Sequence, residues 1–195
     1  MNKLVFATNN ENKLREVKEI LLPLGISVIS QKVSGCDIEP EENGMTFEEN
    51  SAIKARAVYE IVKLPVIADD SGICVDALDG KPGVHSARYA PKGMECETLL
   101  EAMIDVPDEK RTARFVCVIS LIDENGELSS VRGECEGKIG YEKLGTNGFG
   151  YDPVFVYGGK TFAELSNDEK NSISHRAIAL HKLCDLIKER YIYDQ

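Results

Sequence analysis

The strongest secondary-structure pattern in the sequence is a predicted β-hairpin in its second half. The segment ARFVCVISLID, residues 113–123, is rich in the β-branched and aromatic residues that favour strands. The segment LSSVRGECEGKI, residues 128–139, alternates in polarity, and ENGE between them supplies a turn. Two strands joined by so short a turn pair with each other, so the chain must contain antiparallel β-structure.

The first part of the sequence predicts strands that alternate with helices. Leu4–Ala7 is a short apolar run typical of a buried strand, and residues 14–21 show the spacing of one helix face, which Pro23 and Gly25 end. The segment ISVIS that follows predicts a second strand. A strand–helix–strand beginning combined with a central hairpin predicts the α/β class, with a mixed central sheet and flanking helices.

Two further helices are predicted. Thr46 with Glu49 three residues later forms a capping box, and the helix that follows would bury a stripe at Ile53, Ala57 and Ile61. After a loop, the chain would end in a long helix whose apolar face contains Leu180, Leu183, Cys184 and Ile187.

Charge narrows the classes of partner. Among the 195 residues, 33 acidic side chains outnumber 23 basic ones, and the formal net charge is −10. This charge opposes non-specific binding to nucleic acids and to anionic membranes, and we expect neither as a partner. A small phosphate ligand would need a site that is locally positive or bridged by a metal ion.

The cysteines and the N-terminal segment predict the compartment. No CxxC pair occurs among the six cysteines, so the spacing of a zinc site is missing. The first apolar run is too short for a secretory signal, and no run approaches the roughly 20 residues that span a bilayer. We therefore expect a protein of the reducing cytoplasm.

Two adjacent aspartates interrupt the apolar stretch VIADDSGICV, residues 66–75. The pattern predicts a strand, a turn at Asp69 and Asp70, and a second strand. Neighbouring carboxylates repel, and burial disfavours their ionised form. Either they make Asx hydrogen bonds within the turn, or they hold a cation such as Mg²⁺, which takes one or two protein carboxylates. An acidic loop at Glu39, Glu41 and Glu42 offers further carboxylates.

The loop TNNENK, residues 8–13, lies between the first predicted strand and the first helix. A helix N-terminus favours an anion such as phosphate, Asn9 and Asn10 suit the backbone and the cap, and Lys13 adds positive charge. The alternative is an ordinary Asn-rich cap with a solvated lysine, and the pattern alone leaves both open.

The loop GTNGFGYDP, residues 145–153, contains three glycines beside two aromatic residues. Glycines allow the backbone to approach a ligand closely, and an aromatic ring can stack on a nucleobase. The alternative is a hairpin loop with Tyr151 packed in the core.

Basic residues occur at a predicted helix start, where the helix dipole does not favour them. His175 and Arg176 follow Ser174, a candidate N-cap. Anion or carbonyl binding would explain them, and exposed side chains on a surface helix are the alternative. Brought together, five basic residues would form the local positive site that a phosphate ligand needs: Lys13, Lys54, Arg88, Lys170 and Arg176.

Five blocks, in order along nearly the whole chain, resemble the Ham1/RdgB-type inosine triphosphate pyrophosphatases. They are FATNNENKLREVKEIL, TFEENSAIKARA, IADDSGICVDALDGKPGVHSARYA, GTNGFGYDPVF and KNSISHRA. The resemblance implies an elongated mixed sheet within a single domain, residues 1–195, with two lobes around a nucleotide cleft. It also implies a homodimer that uses Mg²⁺ to hydrolyse XTP, ITP and dITP to the monophosphate and pyrophosphate, cleansing the nucleotide pool.

The resemblance further implies roles for individual residues. Asp70 would be a metal ligand and the general base, and Glu41 the other metal ligand, with Glu42 or Glu39 as alternative counterparts. Many members have Thr-Gly-Asn in the first loop where this chain has Thr-Asn-Asn, and Asn tolerates the same backbone. The predicted substrate-binding residues are Thr8, Asn9, Asn10, Glu11, Asn12, Lys13, Asn50, Lys54, Ser71, Arg88, Phe149, Gly150, Tyr151, Asp152, Lys170, His175 and Arg176.

The implied reaction is the attack of water on a phosphorus of the triphosphate. The three lysines of this set would supply positive charge to the phosphate oxygens, and Asp70 would accept a proton from the water or orient it. Donors from His175, Arg176 or the backbone would select the carbonyl at purine position 6. Two other functions stay open: a nucleotide-binding module without turnover, and a Maf-like pyrophosphatase that prefers pyrimidine or methylated nucleotides.

Overall fold

The computed structural model describes residues 3–192, and this part of the chain contains seven strands and five α-helices. The strands are β1 (Lys3–Phe6), β2 (Ser27–Ser30), β3 (Val66–Val75), β4 (Thr112–Ile122), β5 (Leu128–Ile139), β6 (Phe155–Tyr157) and β7 (Lys160–Thr161). The α-helices are α1 (Glu11–Leu21), α2 (Phe47–Val62), α3 (Glu95–Ala102), α4 (Asn167–Ile173) and α5 (His175–Ile192). None of the helices in this range combines the length and the hydropathy needed to cross a membrane.

All seven strands form one sheet in the order β2-β1-β3-β4-β5-β6-β7. β1 is parallel to both of its neighbours, and Val5 lies opposite Ile29 of β2 and Val66 of β3. β6 is antiparallel to β5 and to β7. The sheet is therefore mixed, and the predicted α/β class is confirmed.

Local capping signals define the starts of α1 and α2 as predicted. The side chain of Asn10 accepts hydrogen bonds from the N–H groups of Asn12 and Lys13 and so caps α1. Thr46 and Glu49 form a reciprocal capping box at the start of α2. After α1, the chain leaves through a short 3₁₀ turn and Gly25, whose φ of +80° lies in the left-handed region.

The predicted buried stripe of α2 is wrong. Ile53 and Ala57 are only half-buried, and Ile61 is exposed. The helix instead buries a stripe rotated from the predicted one, which consists of Phe47, Asn50, Ser51, Ala55 and Val58. Apolar residues lie on both faces of α2, so the period of 3.6 residues fits two stripes, and packing decides between them.

The strand–turn–strand prediction for VIADDSGICV is also wrong, because β3 runs without a break through both aspartates. An Asx turn at this point is therefore excluded. The segment before the C-terminal helix was predicted as loop, but it contains α4, whose capping box joins Ser166 and Glu169. The apolar face predicted for the last helix is confirmed, since its four residues belong to one core cluster.

The chain divides into two compact units, each with its own core. Unit one consists of the residues up to Asp70, Cys117–Gly133 and the residues from Arg176 onward, and unit two consists of Ser71–Val116 and Glu134–His175. In unit one, α1 and α5 pack with one set of strand residues and α2 packs with another. In unit two, the core is rich in phenylalanine and includes Phe115, Phe155 and Phe162.

Candidate functional site

In unit one, Asp70 of β3 lies next to two polar residues of α2. Asn50 and Lys54 are four residues apart and therefore face the same side of the helix. Asn50 Nδ2 donates to Asp70 Oδ2 over 3.3 Å, and Lys54 Nζ lies 3.3 Å from Asp70 Oδ1. The same ammonium lies 3.1 Å from Glu42 Oε2. Two carboxylates therefore converge on one lysine.

The charges of this group shift one another's pKa values. Burial raises the pKa of Asp70, and the negative charges of Glu42 and Asp69 add to the effect, while Lys54 and Lys13 oppose it. Burial alone would lower the pKa of Lys54, but the carboxylates around it outweigh burial and raise it. Asp70 is therefore a more basic carboxylate than an exposed aspartate.

The carboxylate beside Asp70 is Glu42, one of the alternatives named for Glu41. Glu42 is half-buried and pairs with Lys54, whereas Glu41 and Glu39 are exposed. Within residues 3–192, no group of three or more His, Cys, Asp and Glu side chains is arranged to hold a metal ion.

Asp69 belongs to a second group of charges in unit one. Its Oδ1 lies 3.0 Å from Lys13 Nζ, and its Oδ2 lies 3.1 Å from Arg176 Nη2. Arg176 Nη1 also donates to Glu16 of α1. Burial would lower the pKa of Arg176, but Asp69 and Glu16 raise it, so this buried guanidinium is charged. The alternative that Arg176 is an exposed side chain on a surface helix is therefore wrong.

Glu16 is a member of this group that the sequence patterns did not single out. It is buried beside Val17 and Ile20 on the apolar face of α1. A charged residue at an apolar helix position is a signal that could have found it, because a buried carboxylate needs a partner.

The loop that precedes α1 is held by its own side chains. Thr8 Oγ1 accepts the N–H of Asn10, and Asn9 Oδ1 accepts a hydrogen bond from buried Gln31. Glu11 is exposed and Asn12 is half-buried. The loop is thus an Asn-capped helix start, which does not conflict with anion binding there.

In unit two, the glycine-rich loop of residues 145–153 is built around Asp152. Its Oδ2 lies 2.6 Å from Lys170 Nζ and accepts the N–H of Phe149 over 2.8 Å. Lys170 Nζ also lies 4.9 Å from the centre of the Phe149 ring. Both members of the ion pair are buried, so Asp152 compensates the charge of Lys170 inside the loop.

Two glycines allow this loop to close on itself. A Cβ on Gly148, whose φ is +72°, would lie 2.0 Å from Asp152 Oδ2. A Cβ on Gly145, whose φ is +78°, would lie 2.2 Å from the backbone of Ala163. The glycines therefore serve the internal packing of the loop.

The two aromatic residues of the loop differ. Tyr151 is buried in the core of unit two, its hydroxyl donates to the Ser86 carbonyl, and burial raises its pKa. The core alternative for Tyr151 is therefore the observed one. Phe149 is half-buried, and Gly150 is exposed, with its carbonyl accepting a hydrogen bond from the Cys96 thiol.

The remaining predicted residues of unit two lie in different surroundings. The ring of His175 is buried and stacks on Phe115, with centroids 4.6 Å apart. Arg88 is exposed on a short 3₁₀ helix, where its Nε donates to His85 Nδ1. Ser71 is half-buried in β3.

In unit one, carboxylates compensate the basic residues of the predicted positive site. Lys13, Lys54 and Arg176 are all paired there with carboxylates. The seven charged side chains of the two groups comprise three cations and four anions, which gives a net charge of −1. They are Lys13, Lys54, Arg176, Glu16, Glu42, Asp69 and Asp70.

Comparison with known proteins gives a consistent set of similarities. The model of the Ham1 family matches residues 4–186. A dITP/XTP pyrophosphatase of Bacillus subtilis strain 168 is 46% identical over 194 residues, which cover 96% of this chain and 98% of that protein. A dITP/XTP pyrophosphatase of Clostridium tetani is 45% identical over 204 residues, which cover 100% of both.

Solved structures agree with the sequence comparison. The Ham1 protein of Staphylococcus aureus has a TM-score of 0.85 at 39% identity and covers 96% of this chain and 99% of its own. A HAM1 protein of Coxiella burnetii has a TM-score of 0.85 at 43% identity and covers 97% of this chain and 100% of its own.

Proposed function

Because the chain belongs to the Ham1 family, we propose that it hydrolyses the deaminated purine nucleoside triphosphates XTP, ITP and dITP to the nucleoside monophosphate and pyrophosphate. The observation that carries the proposal is the convergence of Glu42 and Asp70 on the ammonium of Lys54. This arrangement places two carboxylates beside a cation, and such groups can accept a proton from water and offset charge on phosphate oxygens when a phosphoanhydride is hydrolysed.

We propose Mg²⁺ as the cofactor, with Glu42 and Asp70 as its protein ligands. Glu42 Oε2 and Asp70 Oδ1 lie 3.1 and 3.3 Å from Lys54 Nζ, so the two carboxylates are near each other as well as near this ammonium. Mg²⁺ is usually bound by one or two carboxylates, with phosphate and water oxygens as its other ligands, and this donor set fits it. When bound, the ion would offset negative charge on the phosphate oxygens.

The lysines of unit one are suited to the phosphate groups. Lys13 lies in the first turn of α1, where the N–H groups also favour an anion. Lys54 keeps its charge because the surrounding carboxylates raise its pKa. Lys170 stays a predicted phosphate contact; its ammonium pairs with Asp152 in unit two, as those of Lys13 and Lys54 pair with carboxylates in unit one.

Asp70 is the residue we assign to the water. Asn50 donates to its carboxylate and fixes its orientation, which suits it to accept a proton from a water molecule or to orient that water. In the proposed step, the water oxygen bonds to the α-phosphorus, its proton passes to Asp70, and the bond to the leaving pyrophosphate breaks.

The other expectations stay predictions. They include nucleobase selection by donors of His175, Arg176 or the backbone, and nucleotide contacts by the loop that contains Phe149. A single domain with two lobes, a homodimeric assembly and a cytoplasmic location are also predictions.

A substrate panel with Asp70→Asn tests the proposal. The wild-type protein should release pyrophosphate, and little orthophosphate, from XTP, ITP and dITP in the presence of Mg²⁺, and much less from dUTP and dTTP. Asp70→Asn should reduce kcat/KM by at least about a hundredfold, because it removes a proton acceptor and a proposed metal ligand.

Asp76→Asn is a matched control, since Asp76 pairs with Arg114 at an exposed position. It should keep the wild-type rate. Tight binding of ITP with the triphosphate left intact would instead support a binding module, and preference for pyrimidine substrates would support the Maf-like alternative. Full activity of Asp70→Asn would show that the role of Asp70 is wrong.

A further inference from the structure

The two adjacent aspartates of β3 contact different helices. Successive side chains of a strand point to opposite faces of the sheet. Ile67 accordingly packs in the core cluster of α1 and α5, whereas Val66 and Ala68 pack in the cluster of α2. By the same alternation, Asp69 is on the face of Ile67, and Asp70 is on the face of Ala68. The alternation of one strand thus separates the two carboxylates into two groups of partners.

Asp69 divides its two oxygens between two cations. Oδ1 is 3.0 Å from Lys13 Nζ, and Oδ2 is 3.1 Å from Arg176 Nη2 and 3.3 Å from Arg176 Nε. Arg176 is also paired with Glu16. Asp69 is therefore fixed from one side by a buried guanidinium that has a second carboxylate of its own.

Lys13 is the most exposed member of this group. Its side chain is 18% exposed, compared with 2% for Asp69, 2% for Arg176 and 8% for Glu16. The buried members form a fixed support, and the lysine that rests on it lies in the first turn of α1. Of the three N–H donors of its ammonium, one is directed at Asp69.

We propose that Asp69 is a positioning residue that holds the Lys13 ammonium in place for the phosphate chain of the substrate. The inference rests on the proposed function, which places phosphates beside Lys13. A lysine ammonium sits on a flexible four-carbon stem, and ordering it costs entropy. Asp69 orders it when the protein folds, so this cost is not incurred again when phosphate binds.

Calorimetric titration with inorganic tripolyphosphate in the presence of Mg²⁺ tests the proposal without requiring turnover. Asp69→Asn removes the charge at nearly constant size and should weaken the affinity about tenfold, within the usual range of coupling between contacting residues. With XTP as substrate, the same variant should raise KM more than it lowers kcat. In a Lys13→Met background, Asp69→Asn should change the affinity by less than about twofold, because Asp69 acts through Lys13.

Two further variants complete the design. Asp123→Asn makes the same change at another buried aspartate of unit one, which accepts backbone N–H groups in the turn after β4, and should leave the affinity unchanged. Asp69→Glu keeps the buried charge but displaces the carboxylate by one methylene. It should weaken tripolyphosphate binding several-fold, and only while Lys13 is present.

The outcomes separate this inference from the proposed function. The role of Asp69 would be overturned if the affinity losses of Asp69→Asn and Lys13→Met multiplied independently in the double variant. It would also be overturned if Asp69→Asn bound tripolyphosphate as tightly as the wild type, or more tightly. Absence of tripolyphosphate binding to the wild type would overturn it too, even if XTP is hydrolysed. Coupled binding losses in a protein that does not hydrolyse XTP would support the role of Asp69 and refute the proposed function.

Discussion

Replacing Lys170 by Met should destabilise the protein far more than the same change at Lys143. Both ammonium groups belong to unit two and lie close to a carboxylate oxygen, Lys170 at 2.6 Å from Asp152 and Lys143 at 2.7 Å from Glu97. The two pairs differ in burial: the side chains of the first are 6% and 4% exposed, and those of the second are 47% and 38% exposed. Breaking a buried pair leaves an uncompensated buried charge and costs about 3–5 kcal/mol, whereas an exposed pair contributes about 0–1 kcal/mol.

Urea unfolding measures this difference. With a denaturant slope of about 2 kcal/mol per molar urea, the midpoint should fall by about 2 M for Lys170→Met and by less than about 0.5 M for Lys143→Met. Adding Asp152→Asn to Lys170→Met removes the remaining charge but keeps an acceptor for the Phe149 N–H, so it should restore part of the loss. Equal midpoint shifts for the two lysines would refute the reasoning, because the structure distinguishes them chiefly by burial.

Two further predictions concern Asp70 and the loop of unit two. The pKa of Asp70 is raised above its ordinary 3.8, so kcat/KM for XTP should begin to fall with decreasing pH at a pH above that value. Added Mg²⁺ should move this fall to lower pH, because a bound cation favours the ionised carboxylate. A fall in kcat/KM that does not respond to Mg²⁺ would contradict the role of Asp70 as a ligand. Gly148→Ala should lower the urea midpoint by the equivalent of about 2–4 kcal/mol, because a Cβ there meets Asp152 as well as a positive φ. Gly150→Ala, where φ is +61° and the space is open, should cost only about 1 kcal/mol, and similar losses at both glycines would show that the contact with Asp152 is unimportant.

Features that depend on neighbouring residues in the sequence could be predicted well. The capping box of Thr46 and Glu49 and the Asn10 cap are made by residues within one helical turn of each other. The hairpin of β4 and β5 combines strand propensity with a short turn, in which Asp123 accepts the N–H groups of Asn125 and Glu127. In each case the deciding interactions span fewer than five residues, so the sequence contains the information directly.

Features that depend on distant partners could not be predicted in the same way. The sequence predicts a turn at Asp69 and Asp70 because two carboxylates in a buried strand need compensation. The compensating cations lie 56 residues away at Lys13, 16 at Lys54 and 107 at Arg176. Arg111 shows the same limit, since its buried guanidinium donates to four backbone carbonyls of residues that have no special pattern.

The charge balance of unit one changes the argument about phosphate binding. Composition indicated that a protein of net charge −10 needs a locally positive site or a bridging metal. The structure pairs its cations so closely with carboxylates that the seven side chains around Asp69 and Asp70 sum to −1. A triphosphate near these residues would meet lysines that carboxylates already balance, so a further positive charge would favour its binding. A divalent cation at Glu42 and Asp70 would bring the sum to +1, so the close pairing of these cations with carboxylates is a physical reason to expect dependence on a metal ion.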